Sequence, residues 1–191
     1  NILILGGSRG IGAAIVRRFS AGGGDVAFTY AGSRQAAEAL AAETGAAAIR
    51  TDSADRSELI ATVAGRGALD VIVIAAGTLV LGDPLQLEAD AVDHMIDVNV
   101  RAPYHAAVEA ARRMNDNGRI IVIGSVNGDR MPFAGGAAYA LTKSAMQGMV
   151  RGLARDLGDR GITVNSIQPG PTNSDMNPAD GPMAATMHSF M

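Results

Sequence analysis

The chain has 191 residues, a formal net charge of −3 and 48% hydrophobic residues, which predicts one globular domain with a sizeable core. The charge gives no indication of nucleic-acid binding. Because cysteine is absent, disulfides, zinc–thiolate sites and a cysteine nucleophile are excluded. The longest apolar run, 71–81, is too short to span a bilayer, and no signal peptide is visible. We therefore expect a cytoplasmic protein with no nucleic-acid or membrane partner.

The first predicted element is a strand at 2–5, an apolar run that is too short for a helix and suits a buried parallel strand. Gly6, Gly10 and Gly12 follow, and apolar residues then return at helical spacing. A strand, a glycine turn and a helix in this order direct free N–H groups and the positive end of the helix dipole at one point, where a phosphate can bind. A glycine-rich turn without a ligand is the alternative, but the flanking strand and helix favour the phosphate site.

Strands and helices then alternate along the chain. Apolar runs and their boundaries predict strands at 25–30, 46–50, 71–74, 119–125 and 162–167, and helices at 35–44, 55–64, 91–114, 138–157 and 183–190. This alternation predicts a single domain over 1–191, a Rossmann-like, doubly wound parallel sheet in the order 3-2-1-4-5-6 with helices on both faces. Ligands bind beyond the carboxyl ends of such strands, so one crevice should be lined by Asp52 and by 6–12, 30–34, 75–77, 125–127 and 168–172.

Tyr139 and Lys143 are the strongest candidates for chemistry. Lys143 is the lone lysine among 16 Lys and Arg residues, which indicates that its site needs a compact ammonium rather than a planar guanidinium. Tyr139 lies four residues earlier, so the two side chains share a helix face. A cation beside a phenol lowers the tyrosine pKa and makes an acid–base at neutral pH. The alternative is a surface tyrosine beside a solvated lysine.

Ser125 and Asn99 carry weaker signals. Ser125 ends the fifth predicted strand, where its hydroxyl could hydrogen-bond a substrate carbonyl or simply cap a turn. Asn99 lies four residues before Pro103, which has no N–H, so the Asn99 carbonyl loses its helical partner and could hold a water. A simple proline kink is the alternative. The three histidines have no ligand spacing, and we predict no metal site.

Together these residues resemble the short-chain dehydrogenase/reductase family over the whole chain. The matches are the G-x-x-x-G-x-G spacing, Asp52, Asn99, Ser125, Tyr139 and Lys143 in family order, and Pro169-Gly170. The resemblance implies an oxidoreductase that acts on CH–OH groups, with hydride transfer to or from a carbonyl or alcohol substrate. It makes Tyr139 the general acid–base and has Lys143 lower the tyrosine pKa and hold the nicotinamide ribose. Ser125 would orient the substrate carbonyl, and a water on Asn99 would complete a proton relay.

The expected cofactor is NADP(H). NAD-preferring sites carry an acid at the end of the second strand, whose charge repels a 2′-phosphate, and here that strand ends without one. Arg9 and Arg34 can face a 2′-phosphate, and Ser33 can donate a hydrogen bond to it. The full predicted cofactor site comprises Gly6, Ser8, Arg9, Gly10, Ile11, Gly12, Tyr30, Ser33, Arg34, Asp52, Ala76, Gly77, Tyr139, Lys143, Pro169, Gly170 and Thr172.

The family resemblance also places Asp52 against the adenine and Thr172 against the carboxamide. Two departures concern the glycine loop: Leu5 stands where the family often has Thr, and Ala75 replaces an Asn that normally braces the loop. The seventh family strand is absent from this chain. Because the chain opens inside a strand without an initiator Met and stops abruptly, we expect residues to be missing at both ends. At full length we expect a homodimer or homotetramer.

A narrower resemblance leaves a second function open. It is to a bacterial branch of the family described as binding cyclic di-GMP and mediating biofilm dispersal, and it rests on the stretches 6–12, 29–33, 124–132 and 177–183. The chain would then be a regulator on an enzyme scaffold. Three arginines near the crevice could contact the phosphates of cyclic di-GMP, namely Arg9, Arg34 and Arg130. The intact Ser-Tyr-Lys set favours the reductase, because a pure sensor does not need it, and a structural relative without turnover is the third alternative.

Overall fold

In the computed structural model, which describes residues 1–181 and residue 184, a parallel sheet carries helices on both faces. The strands are β1 (Ile2–Leu5), β2 (Val26–Tyr30), β3 (Ala47–Arg50), β4 (Val71–Ile74), β5 (Arg119–Ile123) and β6 (Thr163–Ile167). They lie in the order β3-β2-β1-β4-β5-β6, and each neighbouring pair is parallel. The predicted Rossmann-like sheet is therefore confirmed, while the helix predicted at 183–190, apart from residue 184, lies outside the described residues.

The helices connect consecutive strands. They are α1 (Gly10–Ala21), α2 (Arg34–Thr44), α3 (Arg56–Gly65), α4 (Ala89–Ile96), α5 (Ala102–Arg113) and α6 (Ala137–Asp156). The carboxylate of Asp55 caps α3 by accepting from the N–H groups of Ser57 and Glu58 in its first turn. No helix in the described part of the chain combines the length and the apolar character that crossing a membrane requires.

The two faces of the sheet are buried in separate hydrophobic clusters. Leu3 and Leu5 of β1 belong to the cluster beneath α3, α5 and α6, whereas Ile2 and Ile4 belong to the cluster beneath α1 and α2. This alternation follows from the strand period of two. Burial of all four residues is what a continuous apolar run predicts for a central parallel strand.

The helix predicted at 91–114 is interrupted by a π-helical segment, Asp97–Arg101, between α4 and α5. The N–H of Ala102 donates to the carbonyl of Asp97, five residues earlier. The three segments follow one another without a break, and Pro103 comes two residues after the π segment; because it has no N–H, it cannot donate to the carbonyl of Asn99 four residues earlier. Such π segments occur often at functional sites, and this one contains Asn99.

Candidate active site

The glycine loop begins where β1 ends, and close packing requires its glycines. Gly6 has a φ of +76°, and a Cβ there would lie 2.6 Å from the backbone of Ala76, which follows β4. A Cβ on Gly12 would lie 2.1 Å from the carbonyl oxygen of Gly6. The loop is thus pressed against both β4 and α1. The first turn of α1, whose N–H groups have no partners within the helix, opens at the carboxyl edge of the sheet, where a phosphate can accept from them.

Thr29 braces the glycine loop from β2. Its Oγ1 accepts a hydrogen bond from the N–H of Gly6 at 3.0 Å, and its carbonyl accepts from the N–H of Gly7 at 2.9 Å. Thr29 is 1% exposed, so water does not compete for these bonds. The brace that Ala75 cannot supply is therefore provided by a hydroxyl on the neighbouring strand. Sequence reasoning missed Thr29, although a hydroxyl at the end of an apolar strand was a usable signal.

The charged residues predicted on the nucleotide side lie in the loops after β1 and β3 and at the start of the helix after β2. Arg34 is exposed at the start of α2. Arg9 is exposed too, and its Nε lies 3.7 Å from a carboxylate oxygen of Asp175 in the loop after β6. Such a surface pair contributes little by itself. The exposed Asp52 accepts from the N–H of Ala54 at 2.9 Å, and its contact with adenine stays a prediction.

Tyr30 and Ser33 differ in how their side chains are placed. Tyr30 is buried in the cluster beneath α1 and α2, so its ring packs in the core. Ser33 is half-buried at the N-cap of α2, and its hydroxyl makes no capping bond within the described residues. Ser8 lies in the glycine loop, and Ile11 lies in the first turn of α1.

The structure brings Ser125, Tyr139 and Lys143 together between the end of β5 and the first turns of α6. Ser125 caps the 3₁₀ turn Val126–Gly128, and its Oγ accepts from a backbone N–H of that turn at 3.2 Å. The Ser125 hydroxyl also lies close enough to the Tyr139 phenol to affect the tyrosine pKa. Lys143 is 8% exposed, and its Nζ donates to the carbonyl of Ile123 at 3.2 Å. Ser125 therefore caps a turn, as one of the two alternatives from the sequence has it, while its hydrogen bond to a substrate carbonyl stays a prediction.

Contacts between the loop after β5 and α6 hold this arrangement in register. A Cβ on Gly128 would lie 2.9 Å from the backbone of Lys143, so only glycine allows the loop to approach the helix this closely. The hydroxyl of Ser144 donates to the carbonyl of Gly128 at 2.5 Å. The amide of Gln147 donates to a carboxylate oxygen of Asp129 at 2.9 Å. These contacts fasten the turn that Ser125 caps to the helix that carries Tyr139 and Lys143.

Burial governs the pKa of both titratable groups. The pKa of Tyr139 is raised above its ordinary value because burial disfavours the phenolate, and the nearby Ser125 hydroxyl offsets this only in part. Burial also lowers the pKa of Lys143 to about 8. The Lys143 Nζ lies 5.7 Å from the centre of the Tyr139 ring, and the tyrosine pKa moves opposite to the direction expected from the sequence. Tyr139 is therefore protonated at neutral pH and suited to donate a proton.

Asn99 joins the π-helical segment to the loop after β4. Its side chain is 2% exposed, and its Oδ1 accepts from the N–H of Thr78 at 2.8 Å. Its Nδ2 donates to the carbonyl of Thr78 at 2.9 Å and to the hydroxyl of Thr142 at 3.2 Å. Sequence reasoning singled out the Asn99 carbonyl and missed this side-chain network. The relay water on that carbonyl stays a prediction.

The loop after β6 spans the crevice from the end of β5 to the glycine loop. At one end, the N–H of Val126 donates to the carbonyl of Pro169 at 3.1 Å. Further along, the hydroxyl of Thr172 donates to the carbonyl two residues earlier at 3.0 Å, and a Cβ on Gly10 would lie 3.3 Å from Ser174. Across the described residues, no group of three or more His, Asp or Glu side chains could hold a metal ion.

Known proteins are similar to this chain in sequence and in fold. A family model described as short chain dehydrogenase matches residues 1–184. The chain is 63% identical over 190 residues to the cyclic-di-GMP-binding biofilm dispersal mediator protein of Escherichia coli (strain K12), and the match covers 100% of this chain and 80% of that protein. The crystal structure of BdcA in complex with NADPH has a TM-score of 0.96 and 63% identity, over 97% of this chain and 76% of that one. A short chain dehydrogenase from Burkholderia cenocepacia J2315 in complex with NADP has a TM-score of 0.96 and 45% identity. The match covers 100% of this chain and 81% of that one. The resemblance seen in the sequence is thus confirmed, and the chain belongs to the short-chain dehydrogenase/reductase family.

Proposed function

We propose that this chain is an NADP(H)-dependent oxidoreductase that moves a hydride to or from the carbonyl carbon of a carbonyl or alcohol substrate. The observation that carries the proposal is the meeting of Ser125, Tyr139 and Lys143 at the sheet edge where the glycine loop also lies. NADPH, when bound, supplies the hydride. The Tyr139 phenol supplies the proton to the carbonyl oxygen, so an alcohol forms and a tyrosinate remains.

The residues of the glycine loop fit a dinucleotide. Side chains at Gly6 and Gly12 would collide with the backbone around them, so both positions need glycine for the loop to adopt this conformation. The loop lies at the positive end of the α1 dipole, and this end attracts a pyrophosphate. The comparisons bear out the class of function and the cofactor, because the chain belongs to a dehydrogenase family and its structural neighbours include complexes with NADPH and NADP. The exposed Arg34, with no acid at the end of β2, supports NADP(H) over NAD(H).

The pKa directions at the site suit carbonyl reduction at neutral pH. Because the pKa of Tyr139 is raised, the phenol keeps its proton until negative charge develops on the substrate oxygen. The Ser125 hydroxyl lies near the phenol and influences its pKa, so it can donate to a substrate oxygen held beside that phenol. Lys143, with a pKa of about 8, is mostly charged at pH 7 and stabilises the tyrosinate that remains.

Replacement of Tyr139 by phenylalanine tests this proposal, with NADPH oxidation measured against a panel of ketones. Loss of the proton donor should lower turnover by about 10²- to 10⁴-fold, while the NADPH dissociation constant stays within about twofold. Tyr104→Phe is the matched control, because Tyr104 is an exposed phenol on α5 and its loss should change neither quantity. Normal ketone reduction by Tyr139→Phe would contradict the role of Tyr139.

Binding of cyclic di-GMP is the second candidate function, favoured by the relative that is described as binding it. The anion cradle of this chain is the glycine loop with Arg9, so cyclic di-GMP and NADPH should compete there. The apparent dissociation constant of NADPH should then rise in proportion to the cyclic di-GMP concentration without saturating. A saturating effect would point to a second site, around Arg130 or the face of Arg151 and Arg155. No effect at all would leave the reductase as the single function.

The cellular location and the assembly state belong to the same proposal. We keep the expectation of a cytoplasmic protein that forms a homodimer or homotetramer at full length. Sedimentation of the full-length protein measures the assembly state directly.

A further inference from the structure

We infer that Thr142 is a positioning residue that holds the catalytic helix in register with the loop after β4, an inference that rests on the proposed function. Thr142 lies on α6 between Tyr139 and Lys143 and is 0% exposed. Its Oγ1 donates to the carbonyl of Tyr139 at 2.8 Å and accepts from the Nδ2 of Asn99 at 3.2 Å. One buried hydroxyl therefore connects the helix that carries the acid–base to the π-helical segment.

The amide of Asn99 extends this connection to the loop after β4. Its Oδ1 accepts from the N–H of Thr78, and one N–H of its Nδ2 donates to the carbonyl of Thr78. The second N–H of the amide donates to Thr142, so both donors and the acceptor are used. Without the Thr142 hydroxyl, a buried donor would lack its partner among the described residues. This costs free energy and favours rotation of the amide away from Thr78.

Movement of the Asn99 amide would change the surroundings of the Lys143 ammonium. A Cβ on Gly77 would lie 3.3 Å from Asn99 Oδ1 and 3.7 Å from Lys143 Nζ, so both groups face the side of Gly77 that carries no side chain. A shift of this backbone changes the space in which Lys143 acts. Thr142 is buried beneath the site and acts through Asn99 and Gly77 on the position of Lys143.

Thr142→Val removes the hydroxyl at nearly constant volume, and Thr142→Ser keeps it. Thr44→Val is the matched control, because the Thr44 hydroxyl also donates to a carbonyl one turn earlier and accepts from an N–H, but at the end of α2. Three quantities are measured: the exchange rate of the Thr78 amide hydrogen, the NADPH dissociation constant, and kcat and KM for ketone reduction. Thr142→Ala takes the place of the valine variant if the latter does not fold.

We expect Thr142→Val to increase the exchange rate of the Thr78 amide hydrogen by about tenfold and to lower kcat by about tenfold. The KM for the ketone should stay within about twofold of that of the unmodified protein. Thr142→Ser should restore both quantities, and Thr44→Val should change neither. A folded Thr142→Val or Thr142→Ala with unmodified kcat and Thr78 exchange overturns the inference. If the unmodified protein reduces no ketone, the proposed function fails, while Thr78 exchange still decides whether Thr142 positions this loop.

Discussion

Replacement of Lys143 by methionine should stabilise the fold while it removes the activity. Lys143 is buried, and burial lowers its pKa from 10.5 to about 8, so at pH 7 the fold holds an ammonium that is more stable in water. Each pKa unit corresponds to about 1.4 kcal/mol, and the burial therefore costs about 3 kcal/mol at pH 7. Methionine is of similar length and uncharged. Its lack of a hydrogen bond to the Ile123 carbonyl costs about 1 kcal/mol, which leaves a net gain of about 2 kcal/mol.

The dependence of this gain on pH follows from proton binding. Between pH 8 and pH 10.5 the folded chain has released the Lys143 proton and the unfolded chain still holds it. Unfolding therefore takes up a proton in this range, and the stability of the unmodified protein rises with pH. The methionine variant has no such group. Its advantage should be largest below pH 8 and should fall by about 2 kcal/mol between pH 7 and pH 9.5.

Urea unfolding followed by far-UV circular dichroism at both pH values measures the effect. Lys143→Met should unfold at a higher urea concentration at pH 7 with an unchanged slope, and the two proteins should nearly coincide at pH 9.5. Lys143→Arg keeps a charge at both pH values and should show no gain at either. The reasoning is refuted if Lys143→Met is less stable than the unmodified protein at pH 7, or if the difference is the same at both pH values.

Two further predictions concern the nucleotide side of the crevice, both measured by calorimetric titration. Thr29→Val removes the hydroxyl that braces Gly6 and should raise the NADPH dissociation constant by about tenfold. Thr29→Ser retains a hydroxyl and should leave that constant unchanged. Equal affinities of the two variants for NADPH would show that the brace is dispensable. Arg34→Ala, alone and with Arg9→Ala, should weaken NADPH by about tenfold for each charged hydrogen bond lost and leave NADH unchanged. An equal loss for both cofactors would contradict the assignment of these arginines to the 2′-phosphate.

The strand order and the glycine loop could be predicted from the sequence because their signals are local. The apolar run at 2–5 and the glycines directly after it specify a strand, a turn and a helix within about twenty residues. Tyr139 and Lys143 lie four apart, and the helical period alone places both on one face. Alternation of strands and helices then restricts the sheet to a parallel, right-handed arrangement, which brings the strand ends to one edge.

Only the tertiary structure decided how these residues are braced and charged, because both depend on segments far apart in the chain. Thr142 and Asn99 are 43 residues apart in the sequence, and Thr29 and Gly6 are 23 residues apart, so no local sequence pattern predicts either contact. Spacing alone suggested that a cation lowers the Tyr139 pKa, but a pKa also depends on how much water surrounds the group. Packing of α6 against the sheet removes that water from Tyr139 and Lys143 alike, which raises one pKa and lowers the other.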